Sequence, residues 1–200
     1  MKKYFLGAAV AGLALTSIAS GQVVMDFQDL ESSGTGFVDH GYVYTDPTGA
    51  WMVSHPNSEP FQFTTAQTGN TSFYQGSTML FNNTVNGVIT FERVDGASFD
   101  LASIDLAALF VGGGAPTVNF VGNLAGGGTV NASYTVQNSR GIETFSFAGL
   151  GFNNLSSVVW VQENSLHQFD NIAVVPVPAP AGLALLGLGG LAATRRRRSV

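Results

Sequence analysis

The chain has 200 residues, of which only 10% are charged and 45% are hydrophobic, with 25 glycines and no cysteine. The absence of cysteine excludes a disulfide framework and thiol chemistry, so packing must hold the fold. Of the 8 basic residues, Lys2, Lys3, Arg195, Arg196, Arg197 and Arg198 lie at the two ends, leaving Arg93 and Arg140 against all 13 acidic side chains and a body near −11. Such a body lacks the phosphate-neutralising surface that DNA or RNA requires, whereas its carboxylates suit divalent cations.

The N-terminus has the layout of a secretory signal peptide: Lys2 and Lys3 precede an apolar run over residues 4–15, and small residues follow. Cleavage is expected between Ala19 and Gln22, because Ser17 with Ala19, or Ala19 with Gly21, satisfies the small-x-small rule. Residues 1–21 are therefore set apart from a single domain over 22–175, which is long enough to bury its own core.

Within that domain, segments rich in β-branched and aromatic residues recur at short intervals. In chain order they are VVMDFQDL (23–30), AWMVSH (50–55), FQFTTA (61–66), GVITFERV (87–94), SFDLASIDLAALF (98–110), TVNFVGNL (117–124), TVNASYTV (129–136), TFSFAGL (144–150), LSSVVWVQE (155–163) and FDNIAVV (169–175). Gly112, Gly113 and Gly114, like Gly126, Gly127 and Gly128, fall between strand segments. They read as turns, since a phosphate-cradling loop would need a helix to follow. No amphipathic helix is evident. The pattern predicts an all-β, two-sheet sandwich, preferred over a closed barrel.

Catalytic parts are sparse. The histidines His40, His55 and His167 stand in no nucleophile or zinc signature, and neither G-x-S-x-G nor H-E-x-x-H occurs. Glu59, Glu92, Glu143 and Glu163 are available to a glycosidase, but their spacing reveals no pair. Asn-x-Ser/Thr triplets at Asn70, Asn82, Asn131 and Asn154 read as turn and strand-edge residues. Sugar binding without chemistry asks for less: an exposed ring to stack on a pyranose face and a few polar partners. Trp51, Tyr42, Tyr44 and Tyr74 lie in polar, Gly-rich surroundings and are the candidates for that platform, while Trp160 reads as core.

The C-terminus carries Pro178, Ala179 and Pro180, an apolar run over 181–194, and then Arg195, Arg196, Arg197 and Arg198. Counted back to Ile172, the apolar stretch is just long enough to cross a hydrocarbon core of about 30 Å, with the arginines retained on the cytoplasmic side. The Pro-x-Pro element, Leu/Gly/Ala span and Arg cluster resemble the PEP-CTERM sorting signal, here over 176–200 and with Ala179 where that motif has Glu. The resemblance implies recognition by an exosortase, a membrane-embedded transpeptidase-like enzyme, and delivery to the cell surface or extracellular matrix. The order of the later strand segments, ending in Phe169-Asp170-Asn171-Ile172, also resembles a jelly-roll, galactose-binding-like module. That likeness implies that the first and last strands are neighbours, which would bring Asp26, Asp29, Glu31 and Asp170 together as a candidate structural Ca²⁺ site; no other cofactor is implied. Taken together, the sequence points to an exported, non-enzymatic structural or adhesive protein of the cell envelope that binds polysaccharide. The alternative is a secreted polysaccharide-active hydrolase.

Overall fold

The computed structural model describes residues 21–178, apart from 57 and 59. Residues 1–20, almost all of the segment read as a signal peptide, and positions 179–200, with Ala179, Pro180 and the four terminal arginines, lie outside the described residues.

Alternation of inward and outward side chains builds two layers. One runs β2 (Phe37–Asp39), β5 (Phe63–Ala66), β6 (Leu80–Asn82), β13 (His167–Pro176), β8 (Phe99–Ala108) and β11 (Glu143–Ser146), with β1 (Val23–Met25) also on β13. The other runs β3 (Val43–Thr45), β4 (Trp51–Ser54), β7 (Gly87–Arg93), β12 (Leu155–Gln162), β9 (Thr117–Leu124) and β10 (Thr129–Thr135). All pairings are antiparallel, and the layers are joined where Leu155 of β12 pairs with Phe99 of β8. The all-β sandwich expected from the sequence is therefore what forms, with a single 3-10 turn at Gln28–Leu30 as the helical element among the described residues.

Each strand sends alternate residues inward because the period of its side chains is two. On β12, Val158, Trp160 and Gln162 are buried while the residues between them are less so, and a register shift between Leu155 and Ser157 lets Leu155 face inward as well. The core between the layers is aromatic. Phe169 meets Trp160 edge-on at 5.1 Å and Phe27 at 5.6 Å, and Phe120 continues the chain from Trp160 at 5.5 Å. Such offset and edge-on pairs add about 0.5–1.5 kcal/mol each beyond the area they bury. Gly122 is needed where β9 crosses this core, since a Cβ there would stand 2.9 Å from both Leu155 and Val130.

Two departures from the expected layout matter for function. First, β2, β3 and β6 were not anticipated, being only three residues each. Second, Ile172, Ala173 and Val174 are buried in β13, where they pair with β1 and, in part, with β8, and the strand continues to Pro176. Residues 172–176, counted into a membrane-crossing stretch from the sequence, are therefore strand instead. The apolar run 181–194 lies outside the described residues. Among the described residues no helix is long and apolar enough to cross a membrane.

The outer face of the first layer is not bare. Residues 67–79, between β5 and β6, cross it: Gln168 donates from Nε2 to the Phe73 carbonyl at 2.9 Å, and Ser77 donates to Asp170 at 2.5 Å. Arg140 bonds the Thr71 carbonyl and the Gly141 amide bonds Gln75, so the turn after β10 clamps the same segment. This covering explains why β13 is buried on both faces for most of its length.

Candidate functional site

The neighbouring of first and last strands is observed: Val23, Val24 and Met25 pair with Val174, Ala173 and Ile172. The four acids nevertheless do not converge. Asp29 accepts from the Tyr44 hydroxyl at 2.6 Å, Glu31 from the Tyr74 hydroxyl at 3.1 Å, and Asp26 from the Gln28 amide at 3.4 Å. Asp170, fully buried, accepts from Ser77 and from the Asn171 amide at 2.8 Å. Among the described residues, no three His, Asp or Glu side chains are grouped to hold a metal ion. Burial pushes Asp170 up to about 6; the Ser77 and Asn171 hydrogen bonds pull the other way, and the nearby Asp105 and Asp26 charges add to the rise. Burial, with the hydrogen bond to Asp29, raises Tyr44, and burial with Glu31 raises Tyr74.

Two of the four expected stacking residues are core. Trp51 is 2% exposed and lies parallel to Phe91 at 5.5 Å, because the alternation of β4 turns Trp51 and Val53 inward. Tyr44 is 6% exposed, as the middle residue of β3. Tyr42 is half-buried against His55, and Tyr74 is half-buried in the segment covering the first layer. These positions do not make one open platform.

The histidines are dispersed. His40 bonds the Thr65 hydroxyl at 2.8 Å, His55 packs edge-on against Phe63 at 4.4 Å, and His167 is buried in β13. Burial lowers His40, against the pull of Asp39 and Asp29, and lowers His167 to about 3. Glu143 accepts from the Gln137 amide and Glu163 from the Asn119 amide, on separate elements.

An open aromatic pocket, which the sequence did not reveal, lies on the outer face of the first layer. Its volume is about 230 Å³. Strand register builds its floor: Asp39 of β2 stands opposite Thr64 of β5, which stands opposite Phe81 of β6, so the three share one face. Two residues back along β2, on that same face, is Phe37. Phe73 from the covering segment and Phe110 from the loop after β8 complete the walls, with Phe37 to Phe73 at 5.0 Å and Phe73 to Phe110 at 5.5 Å. Phe37 is 48% and Phe110 46% exposed, whereas Phe81 and Leu109 lie buried beneath them. Polar groups are few: Asp39, Thr64 and Asn83. Thr64 donates its hydroxyl hydrogen to Asp39 at 2.9 Å, holding the carboxylate beside the rings.

An apolar concavity with a few convergent polar groups is the common form of a small-ligand or sugar site. The large exposed rings around this one set it apart from scattered surface hydrophobes.

No protein-family profile matches the chain, and no curated protein matches it. Solved structures with a similar course include a family 29 carbohydrate-binding module, at 10% identity and TM-score 0.40 over 78% of this chain and 88% of that one. A point mutant of such a module matches at 10% identity and TM-score 0.41, over 84% of this chain and 96% of the other. The family 11 carbohydrate-binding module of a cellulosomal cellulase of Clostridium thermocellum matches at 12% identity and TM-score 0.31, over 81% and 98%. These likenesses are too distant to carry a functional argument, and the site's own chemistry must do so.

Proposed function

We propose that this protein is a non-catalytic, exported binding module that holds a polysaccharide of the cell envelope or extracellular matrix in the pocket around Phe37. The observation that carries the reading is the pocket itself: partly exposed phenylalanine rings beside Asp39, Thr64 and Asn83, open to solvent on the outer face of a sheet. Ring faces pack on the C–H faces of sugars while carboxylate and amide groups take up their hydroxyls.

A glycan panel presented to the purified protein tests this. Retention without product release is expected, and Phe37→Ala should abolish most retention while leaving stability within about 0.5–1 kcal/mol, as for an exposed side chain. Release of shortened sugars would instead make the protein a polysaccharide hydrolase. No retention of any glycan would end the binding reading.

The address remains a reading of the two ends. We assign residues 1–21 to export, and 176–200 to a sorting segment read by an exosortase-type enzyme, with Ala179 in the place of the motif's Glu. With Ile172 to Pro176 committed to β13, the apolar run depends more heavily on its arginines, each costing about 2.5–3.5 kcal/mol at the centre of an inserted helix. Replacing all four by serine should therefore let the full-length chain pass into the periplasm or medium with its C-terminus intact. If fractionation and mass analysis show that variant retained and trimmed like the parent, the arginines are not the stop signal.

A further inference from the structure

The same pocket is walled by phenylalanine rings and holds a single carboxylate, Asp39. Phenylalanine rings offer the electron-rich faces of their quadrupoles and no hydrogen-bond donor. Asp39 is acceptor-only when ionised, and the hydroxyl hydrogen of Thr64 is already given to it, so Asn83 supplies the remaining side-chain donors of the lining. No Lys or Arg lines the pocket. The two cations of the domain are engaged elsewhere: Arg93 bonds Asp95 at 2.6 Å and lies over Trp51, and Arg140 bonds the Thr71 carbonyl. A pocket for neutral sugars profits from a balance of donors and acceptors. This one is poor in donors, is walled by rings and holds one fixed carboxylate, in a domain near −11.

We propose that the pocket selects a cationic glycan, one with free amino groups on its sugars, the protonated amine resting among Phe37, Phe73 and Phe110 with Asp39 as its counter-ion. The inference rests on the glycan reading above and specifies its ligand class. Attraction of a cation to aromatic faces is the physical basis, strengthened by the carboxylate and by long-range attraction of a polycation to an acidic domain.

The test compares glucosamine hexamer with N-acetylglucosamine hexamer on the full-length chain. The free-amine hexamer is expected to bind about tenfold more tightly, the equivalent of roughly 1.4 kcal/mol, and to weaken with added salt. Asp39→Asn should remove most of that preference, because it weakens the free-amine hexamer far more than the acetylated one, whose hydroxyls an amide can still bond. Glu92→Gln takes the same charge from the outer face of the opposite layer and should change nothing, which separates a local counter-ion from general acidity. Equal or tighter binding of the acetylated hexamer, or equal effects of the two substitutions, would overturn the proposal while leaving glycan binding intact. If neither hexamer binds, tetramethylammonium is the probe: its shifting of the Phe37 and Phe110 ring signals in the parent but not in Asp39→Asn would keep cation recognition and discard the glycan, and no shift would discard both.

Discussion

Trp51→Ala is expected to cost about 3–5 kcal/mol, a large part of the roughly 5–15 kcal/mol that stabilises a domain of this kind. The indole stacks on Phe91 with an interplanar angle of 6°, meets Phe99 edge-on at 5.4 Å and is covered by the Arg93 guanidinium at 5.5 Å. Truncation leaves a cavity that β4 cannot close without breaking its pairing to β7. Denaturant titration should show a lower midpoint with an unchanged slope, and the folded fraction should bind glycan as the parent does. A variant of normal stability that had lost glycan binding would return Trp51 to the surface platform expected from sequence.

Asp170→Asn should act in the opposite direction and stabilise the protein by about 3 kcal/mol at pH 7. The native carboxyl is fully buried and pushed from 3.8 to about 6 by burial. Between those values the native state keeps a proton that the unfolded chain has lost, so this group's contribution falls as pH rises, and above 6 the native state carries the whole cost of a buried anion. Asparagine keeps the shape, can accept from the Asn171 amide and can donate to Ser77, which already accepts from Gln28 at 2.7 Å. The measurable quantity is the difference between the two proteins. His167 works against Asp170, because burial holds it near 3 and its unfolded form gains a proton below 6.5, so acid destabilises through that residue in both proteins. The advantage of Asp170→Asn should amount to roughly 6–12 °C in Tm at pH 7 and shrink as pH falls through 6 towards 4. A constant difference across that range, or a loss of stability at pH 7, would show that Asp170 is not the strained anion its burial implies.

The long strands were readable because their alternation is written over many residues. TVNFVGNL shows the period of two over its eight positions and LSSVVWVQ carries a β-branched, aromatic run, and both form strands within a residue of the expected bounds. The neighbouring of the first and last strands followed from the jelly-roll likeness and is seen in the pairing of β1 with β13. The pocket could not be read in the same way. Its floor comes from β2, β5 and β6, of which two have three residues each, too few for a period to show. Its walls add Phe73 and Phe110 from loops, where no periodicity says which way a ring faces.

Composition and pattern alone determined the all-β class and the acidic body poor in Lys and Arg, since these depend on residue type and local order. Which aromatic rings are core and which are exposed was decided only by tertiary structure. Trp51 and Phe37 are both large aromatic rings in short strands, yet one faces the opposite layer and the other the open side of its sheet. The partners of the acids were decided in the same way: hydroxyls from distant segments, Tyr44 for Asp29 and Ser77 for Asp170, bond these carboxylates. Side-chain direction and partner depend on strand register and on what covers the sheet, and both are set by contacts between residues far apart in the chain.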